Sequence, residues 1–311
     1  MLMNLYFGSV SIPFTEVTSI LFGNSNTNET AHFIILQSRF PAAVTAILCG
    51  AALSVCGLIL QSYFRNPLAG PSILGITSGS NLAVAISMLY IGATSPISIT
   101  MSAFAGAVII LTILLLLGRI IRDSTTLLIV GILISFLSSA LITLINYYNS
   151  ADGAYSLLVW GMGSFNVVGL DNLFVFSVLI IIGIALTILL IKPLNGWMLG
   201  EYYARTLGIN IKFTRVLPLF ITGLLAAVTT AFCGPISFIG LSIPHLARMI
   251  TQTDNHRILL PTSAILGAIC ASLCLFISTL PNNGSLLPIN ALTPIFGIPI
   301  ILYILLTPKV H

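Results

Sequence analysis

Scarcity of charge constrains this chain more than any other feature. Eleven Lys and Arg and seven Asp and Glu are distributed over 311 residues, 6% in all, where a soluble domain carries about 25%. Hydrophobic residues make up 57%, and the mean hydropathy is +1.11. A water-soluble fold of this length exposes more surface than so few polar residues can cover. A soluble enzyme, a nucleic-acid binder and a disordered chain are thereby excluded. The net charge of +4 is too small and too scattered for a nucleic-acid footprint. The apolar runs are long and unbroken rather than short and alternating, which excludes a β-barrel. What remains is an all-α polytopic membrane protein.

Crossing about 30 Å of hydrocarbon takes about 20 apolar residues. Such stretches lie at 40–64, 73–91, 98–118, 124–147, 172–192, 213–233, 258–280 and 289–307. A shorter apolar piece, 235–243, follows the Gly234-Pro235 break. Together these predict about nine transmembrane segments in one helical bundle with broken and short helices, a single domain over 1–311. Residues 1–7 are apolar but too few to span. The stretch 8–38 reads as an extracytoplasmic loop-like segment. It holds a short amphipathic helix with Phe14, Val17 and Leu21 on one face, then a polar run at 24–30. It has no charged n-region followed by an apolar core, as a signal peptide would.

The basic residues set the orientation. Arg65, Arg119, Arg122, Lys192, Arg205, Lys212, Arg215, Arg248, Arg257 and Lys309 all follow or bracket spans on one side, and only Arg39 falls on the other. The positive-inside rule makes the first side cytoplasmic. Asp123, Glu201 and Asp254 join it, while Glu16, Glu29, Asp152 and Asp171 lie outside with Arg39. The C-terminus is then cytoplasmic. Lys212 and His245 share a side only if 213–243 runs out as one full span and comes back as a short, irregular return.

The chain has no Gly-x-x-x-x-Gly-Lys phosphate loop, no His-Glu-x-x-His and no nucleophile elbow. It is therefore read as a non-enzyme that needs no cofactor and no metal. The five cysteines form no Cys-x-x-Cys pair. Cys49 with Cys56 and Cys270 with Cys274 share helix faces, as a metal or redox site or as small packing residues. Every Asp, Glu, Lys and Arg sits at or beyond a span end, so no carboxylate relay crosses the membrane. Sodium coupling through carbonyls and Ser or Asn side chains stays open, and with it an ion-gradient-driven secondary transporter.

Three stretches depart from plain apolar helix. The first runs from Arg39-Phe40-Pro41 through Gln61 to Arg65-Asn66-Pro67-Leu68-Ala69-Gly70-Pro71 and Gly75-Ile76-Thr77-Ser78-Gly79. Its Gly75 and Gly79 permit close helix approach. The second is Gly234-Pro235-Ile236-Ser237-Phe238-Ile239-Gly240-Leu241-Ser242-Ile243-Pro244-His245-Leu246-Ala247-Arg248. Proline favours a first helical turn, so a short surface helix is expected from about Pro244. The third is Leu287-Pro288-Ile289-Asn290-Ala291-Leu292-Thr293-Pro294 with Pro299 beyond it, where neighbours must satisfy the freed carbonyls.

In this order and at these spacings, the segments resemble the FecCD-type, or type II importer, permeases of bacterial ABC transporters for iron–siderophores, haem and cobalamin. The resemblance covers nearly the whole chain. Its most specific parts are 61–79, Tyr203-Ala204-Arg205 with Leu207-Gly208, and 234–248. It implies a ten-span permease in the bacterial cytoplasmic membrane, paired with a second copy or a paralogue. Cytoplasmic ATPase subunits dock below, and a periplasmic or lipoprotein substrate-binding protein docks outside.

Residue by residue, the resemblance implies that Pro244, His245, Leu246 and Arg248, with Asp254, His256 and Arg257, form the segment that couples to the ATPase. Asn66, Pro67 and Leu68 match a turn near the cytoplasmic end of the pathway. Ser138, Ser139, Thr143 and Asn146 lie on a span that matches a pathway-lining helix. Spacing puts 139, 143 and 146 on one face, and hydrogen bonding between helices is an equal reading of these side chains. Arg39 matches a rim arginine that pairs with the binding protein, or else snorkels at the interface. Three departures accompany the match. No full span precedes Gly8-Ser9-Val10-Ser11-Ile12-Pro13, so the first family span is missing or the start is misassigned. Ala42 stands where a second rim arginine is usual. The stretch 279–288 lacks the usual acid and arginine. Docking of the binding protein is then expected to be weaker or differently built.

Overall fold

The computed structural model describes residues 1–8, 10, 12–21, 29–93, 95–121, 123–280 and 286–306. Two short N-terminal helices, α1 (Leu2–Tyr6) and α2 (Phe14–Leu21), precede a long helix, α3 (Glu29–Phe64). There follow α4 (Ile76–Ile91), α5 (Pro96–Ile120), α6 (Ser124–Tyr148), α7 (Ala151–Gly161), α8 (Leu170–Met198) and α9 (Glu201–Thr206). The chain closes with α10 (Ile211–Cys233), α11 (Ile239–Thr251), α12 (His256–Ser278) and α13 (Ile289–Leu306). No strand occurs among the described residues.

Among the described residues six helices are long and apolar enough to cross a membrane: α3, α5, α6, α8, the 213–233 part of α10, and α12. The expected spans 73–91 and 289–307 form the shorter apolar helices α4 and α13. One expectation needs correction. Residues 29–39 are helical rather than loop-like, and 34–39 form a π-helical segment that runs straight into the first span. The stretch after Tyr148 contains a further helix, α7, that apolar length alone does not show. Of the amphipathic face on α2, Val17 is buried and Phe14 is exposed. The Leu21 side chain, most of the 24–30 run, Arg122, the Lys212 side chain, 281–285 and Lys309 lie outside the described residues.

The centre of the bundle is α3, whose most apolar window is 83% buried. Its hydrophobicity has no preferred side because α8, α10, α11 and α12 all pack around it. Close approach depends on glycine. A Cβ on Gly50 would lie 2.2 Å from the carbonyl oxygen of Gly267 in α12, and one on Gly57 only 1.6 Å from that of Gly240 in α11. In a membrane, where burying apolar side chains gains little, such backbone contact supplies the packing energy.

Between α10 and α11 the backbone leaves the helix at Cys233, at the predicted Gly234-Pro235 break, and resumes at Ile239. Irregular backbone inside a bundle must find partners within the protein. Asn290 provides them. Its Nδ2 donates to Pro235 O at 2.7 Å and Gly161 O at 3.0 Å, and its Oδ1 accepts from Ser237 N at 3.0 Å. Cys233 O takes the amide of Ser164 at 2.8 Å. Held in this way, Phe238 keeps φ +66, a region costly for a residue with a side chain.

Candidate functional site

Most described basic side chains gather at one end of the bundle. Arg65 ends α3, Arg119 closes α5, and Arg205 and Arg215 both bridge Glu201, at 2.7 and 2.8 Å. These two arginines hold the Glu201 carboxyl below the usual carboxylate range. Arg119, Asp123, Arg205 and Arg215 line a cavity of about 1190 Å³ at this end. Arg39 sits about 39 Å away along the same helix as Arg65, at 1.5 Å per residue.

The helix α11 reaches this end. It begins at Ile239, five residues before the expected start, so Pro244 lies inside it. Proline has no N–H, which leaves Gly240 O without its helical donor. That oxygen is the atom that meets Gly57, so the proline and glycine together let the two helices touch. Beyond Pro244 the polar side chains turn inward. His245 Nε2 lies 2.8 Å from Pro67 O. Burial lowers its pKa, the Pro67 carbonyl partly restores it, and Arg248 lowers it again. Because the Pro67 carbonyl oxygen can only accept, Nε2 carries the proton and donates. Arg248 Nη1 donates to Gln61 Oε1 at 2.7 Å, and its Nε stands 3.4 Å from Asp254 Oδ1.

The seven residues expected to form one outward-facing set therefore separate. Pro244 is buried, and His245, Leu246 and Arg248 are half-buried. Asp254 and Arg257 are exposed. His256 is 0% exposed, which corrects its placement on the surface. Its Nδ1 is 2.7 Å from Asn195 Oδ1 and its Nε2 is 2.7 Å from Ser62 Oγ, so it fastens the start of α12 to α3 and α8. The outward face instead carries Met249 and Ile250, 42% and 60% exposed, beside Gln252. Sequence reasoning missed both. The signal was available, because apolar residues at the polar end of a short helix have no core to enter.

Asn66, Pro67 and Leu68 form a tight turn beneath this helix. Asn66 Oδ1 accepts from Leu68 N at 2.9 Å, and Asn66 O from Ala69 N at 3.1 Å. Pro67 and Leu68 are exposed.

The four residues expected on a path divide as well. Ser138 is buried, whereas Ser139 and Thr143 are exposed on α6, with Thr143 Oγ1 bonded to Ser139 O at 2.9 Å. Asn146 lines a cavity of about 510 Å³ with Asn81, Trp160, Asn290 and apolar neighbours. No charged residue lines it. The side-chain oxygens of Asn81 and Asn146 are buried without a partner. Asn81 and Asn290 were not among the expected site residues, although an Asn within an apolar span is itself a signal.

Arg39 is 8% exposed. Its Nη1 donates to Leu5 O at 2.8 Å, and its Nη2 donates to Val10 O. The guanidinium is thus covered by the N-terminal segment. Among the described residues no three His, Cys, Asp or Glu side chains group as a metal site. The five cysteines are free thiols, four of them buried.

The model of the FecCD transport family matches residues 1–307. The vitamin B12 import system permease proteins BtuC of Salmonella paratyphi A and Salmonella typhimurium are each 36% identical over 273 residues, covering 88% of this chain and 83% of theirs. A solved structure assigned as an inward-facing conformation of a metal-chelate type ABC transporter superposes with a TM-score of 0.84 at 29% identity, over 98% of this chain and 95% of that one. PsaBC from Streptococcus pneumoniae, at TM-score 0.57 and 18% identity over 94% and 97%, shares the fold.

Proposed function

The chain belongs to the FecCD transport family and is the multi-pass permease subunit of an ABC importer, and we propose that it carries a metal chelate or a cobalamin-type cargo inward across the bacterial cytoplasmic membrane. Cobalamin, iron–siderophores and haem are the cargoes to try, because they bring their own ligands to the metal. The uncharged 510 Å³ cavity supports this reading. A bare metal cation would meet no charged ligand there, only the amides of Asn81, Asn146 and Asn290, whereas a chelate brings its own ligands and presents an organic surface.

The basic end of the bundle is cytoplasmic in this reading, as is the C-terminus. ATPase subunits dock on the corner formed by Met249, Ile250, Gln252, Asp254 and Arg257, with His245, Leu246 and Arg248 as its support and Pro244 as its buried root. A short helix packed against α3 can pass on rigid-body motion. Asn66, Pro67 and Leu68 form the cytoplasmic mouth. The exposed face of α6, with Ser139 and Thr143, meets a second permease copy or the cargo, and Asn146 stands at the deeper cavity. A substrate-binding protein delivers cargo at the opposite end, where Arg39 acts by holding the N-terminal segment rather than by direct pairing.

The observation that carries this reading is the outward apolar pair Met249–Ile250 on a helix whose other side chains are tied to the core. Reconstituted with its ATPases, the chain is expected to take up labelled cyanocobalamin, a ferric siderophore or haem only with ATP, and ionophores should leave uptake unchanged. Uptake that persists without the ATPases, or that collapses with an ion gradient, overturns the proposal in favour of a secondary transporter.

A further inference from the structure

Gln61 belongs to the sequence segment singled out above, yet the site so far gives it no role. It is 3% exposed, within the last turn of α3. Both ends of its carboxamide are occupied by α11: Nε2 donates to Leu241 O at 3.0 Å, and Oε1 accepts from Arg248 Nη1 at 2.7 Å. Its backbone carbonyl looks the other way. That oxygen accepts the amide of Arg65, which adopts the left-handed conformation at φ +48, and the amide of Asn66 at 3.1 Å. One residue therefore holds α11 with its side chain and the start of the 66–68 turn with its backbone. A second link runs parallel to it, from His245 Nε2 to Pro67 O at 2.8 Å. Two contacts between the same pair of elements fix their relative rotation, which one contact leaves free.

We propose that Gln61 is the positioning residue that delivers displacement of α11 to the Asn66-Pro67-Leu68 turn, so that the ATPase-facing helix and the mouth of the path move as one body. This rests on the reading of α11 and the turn given above. The chemistry suits the role. A buried amide with both its donor and its acceptor engaged is costly to unpair, and its bond to Arg248 is charge-assisted, hence short and strong. Side-chain slack that would otherwise absorb a small movement is thereby removed.

The test uses the whole transporter in proteoliposomes, with labelled cyanocobalamin and a ferric hydroxamate siderophore as probes. The readout is cargo moved per ATP hydrolysed. Gln61→Met keeps the length and apolar body of the side chain and removes both hydrogen bonds. The ATPases should still bind at wild-type stoichiometry, while cargo per ATP falls at least tenfold. A ratio within threefold of wild type overturns the proposal, and so does a parallel fall of transport and hydrolysis, which is what a purely structural role predicts. A second measurement leaves Gln61 in place, in case the variant does not assemble. Spin labels on Ser72→Cys, an exposed site, and Thr251→Cys, half-buried at the end of α11, should keep their separation with and without ATP. A change of about 5 Å, one helical turn, contradicts a single rigid body. If the wild type binds no ATPase, the importer reading itself fails. If the wild type couples and Gln61→Met couples equally well, only this inference fails.

Discussion

Helices α11 and α6 both carry polar side chains that the sequence marks as functional, and the fold treats them in opposite ways. On α11 the polar groups turn inward: His245 bonds to Pro67 and Arg248 to Gln61, and Ser242 is buried. The apolar residues Met249 and Ile250 are left facing out. On α6 only 17% of the most apolar window is buried, and Ser139 and Thr143 stand on the open face, bonded to nothing beyond their own helix. One helix is built to be held, the other to be covered. In water that exchange of polar and apolar faces would look inverted. In a membrane protein with a polar end and partner subunits it separates the part that transmits motion from the part that meets another surface.

This comparison can be broken most severely at Gly57. Gly57→Leu places side-chain atoms where Gly240 O already lies, and overpacking of that kind costs about 3 kcal/mol or more. Folded, monodisperse protein should be lost in detergent, as size-exclusion chromatography would show. His256→Leu comes next. It strands Asn195 and Ser62, so thermal unfolding should show a loss of about 2 kcal/mol, and ATPase binding should weaken only as far as the fold does.

A smaller effect on stability is expected on α6. Thr143→Leu, on the exposed face, should change the stability of the isolated chain by no more than about 0.5 kcal/mol, yet reduce uptake in the reconstituted importer. Equal loss in both measurements would mean that α6 is held as tightly as α11. The smallest effect concerns pH. The folded pKa of His245 lies below its usual value of 6.5. As pH falls, the unfolded chain therefore takes up the proton first, and the fold loses stability between the ordinary and the lowered value. Thermal unfolding followed from about pH 8 to pH 5 should show a decline below about pH 6.5 that is shallower in His245→Gln.

The spans were legible because a bilayer demands about twenty apolar residues, a requirement that sequence meets visibly. The Gly234-Pro235 break was legible for a similar local reason. What escaped depends on distant partners. α7 has its large aliphatic residues only in its second half, after Ala151-Asp152-Gly153-Ala154, so no length criterion finds it. The helical 29–39 segment is masked by Glu29, His32, Gln37 and Arg39, and Arg39 is affordable there only because Leu5, Tyr6 and Val10 supply carbonyls from earlier in the chain. Nothing local distinguishes His245 from His256. They differ because one meets a carbonyl near the surface and the other meets Asn195 and Ser62 in the interior. Asn290 and Gln61 likewise acquire their roles from residues more than 50 positions away.

The central claim is that the outward face of α11 is a docking face. The most direct test is co-purification of this chain with its ATPase, comparing wild type with Met249→Glu plus Ile250→Glu. The account predicts a stoichiometric complex with the wild type, and a double variant that stays folded and monodisperse but binds no ATPase. A variant that binds the ATPase as tightly as wild type would contradict it.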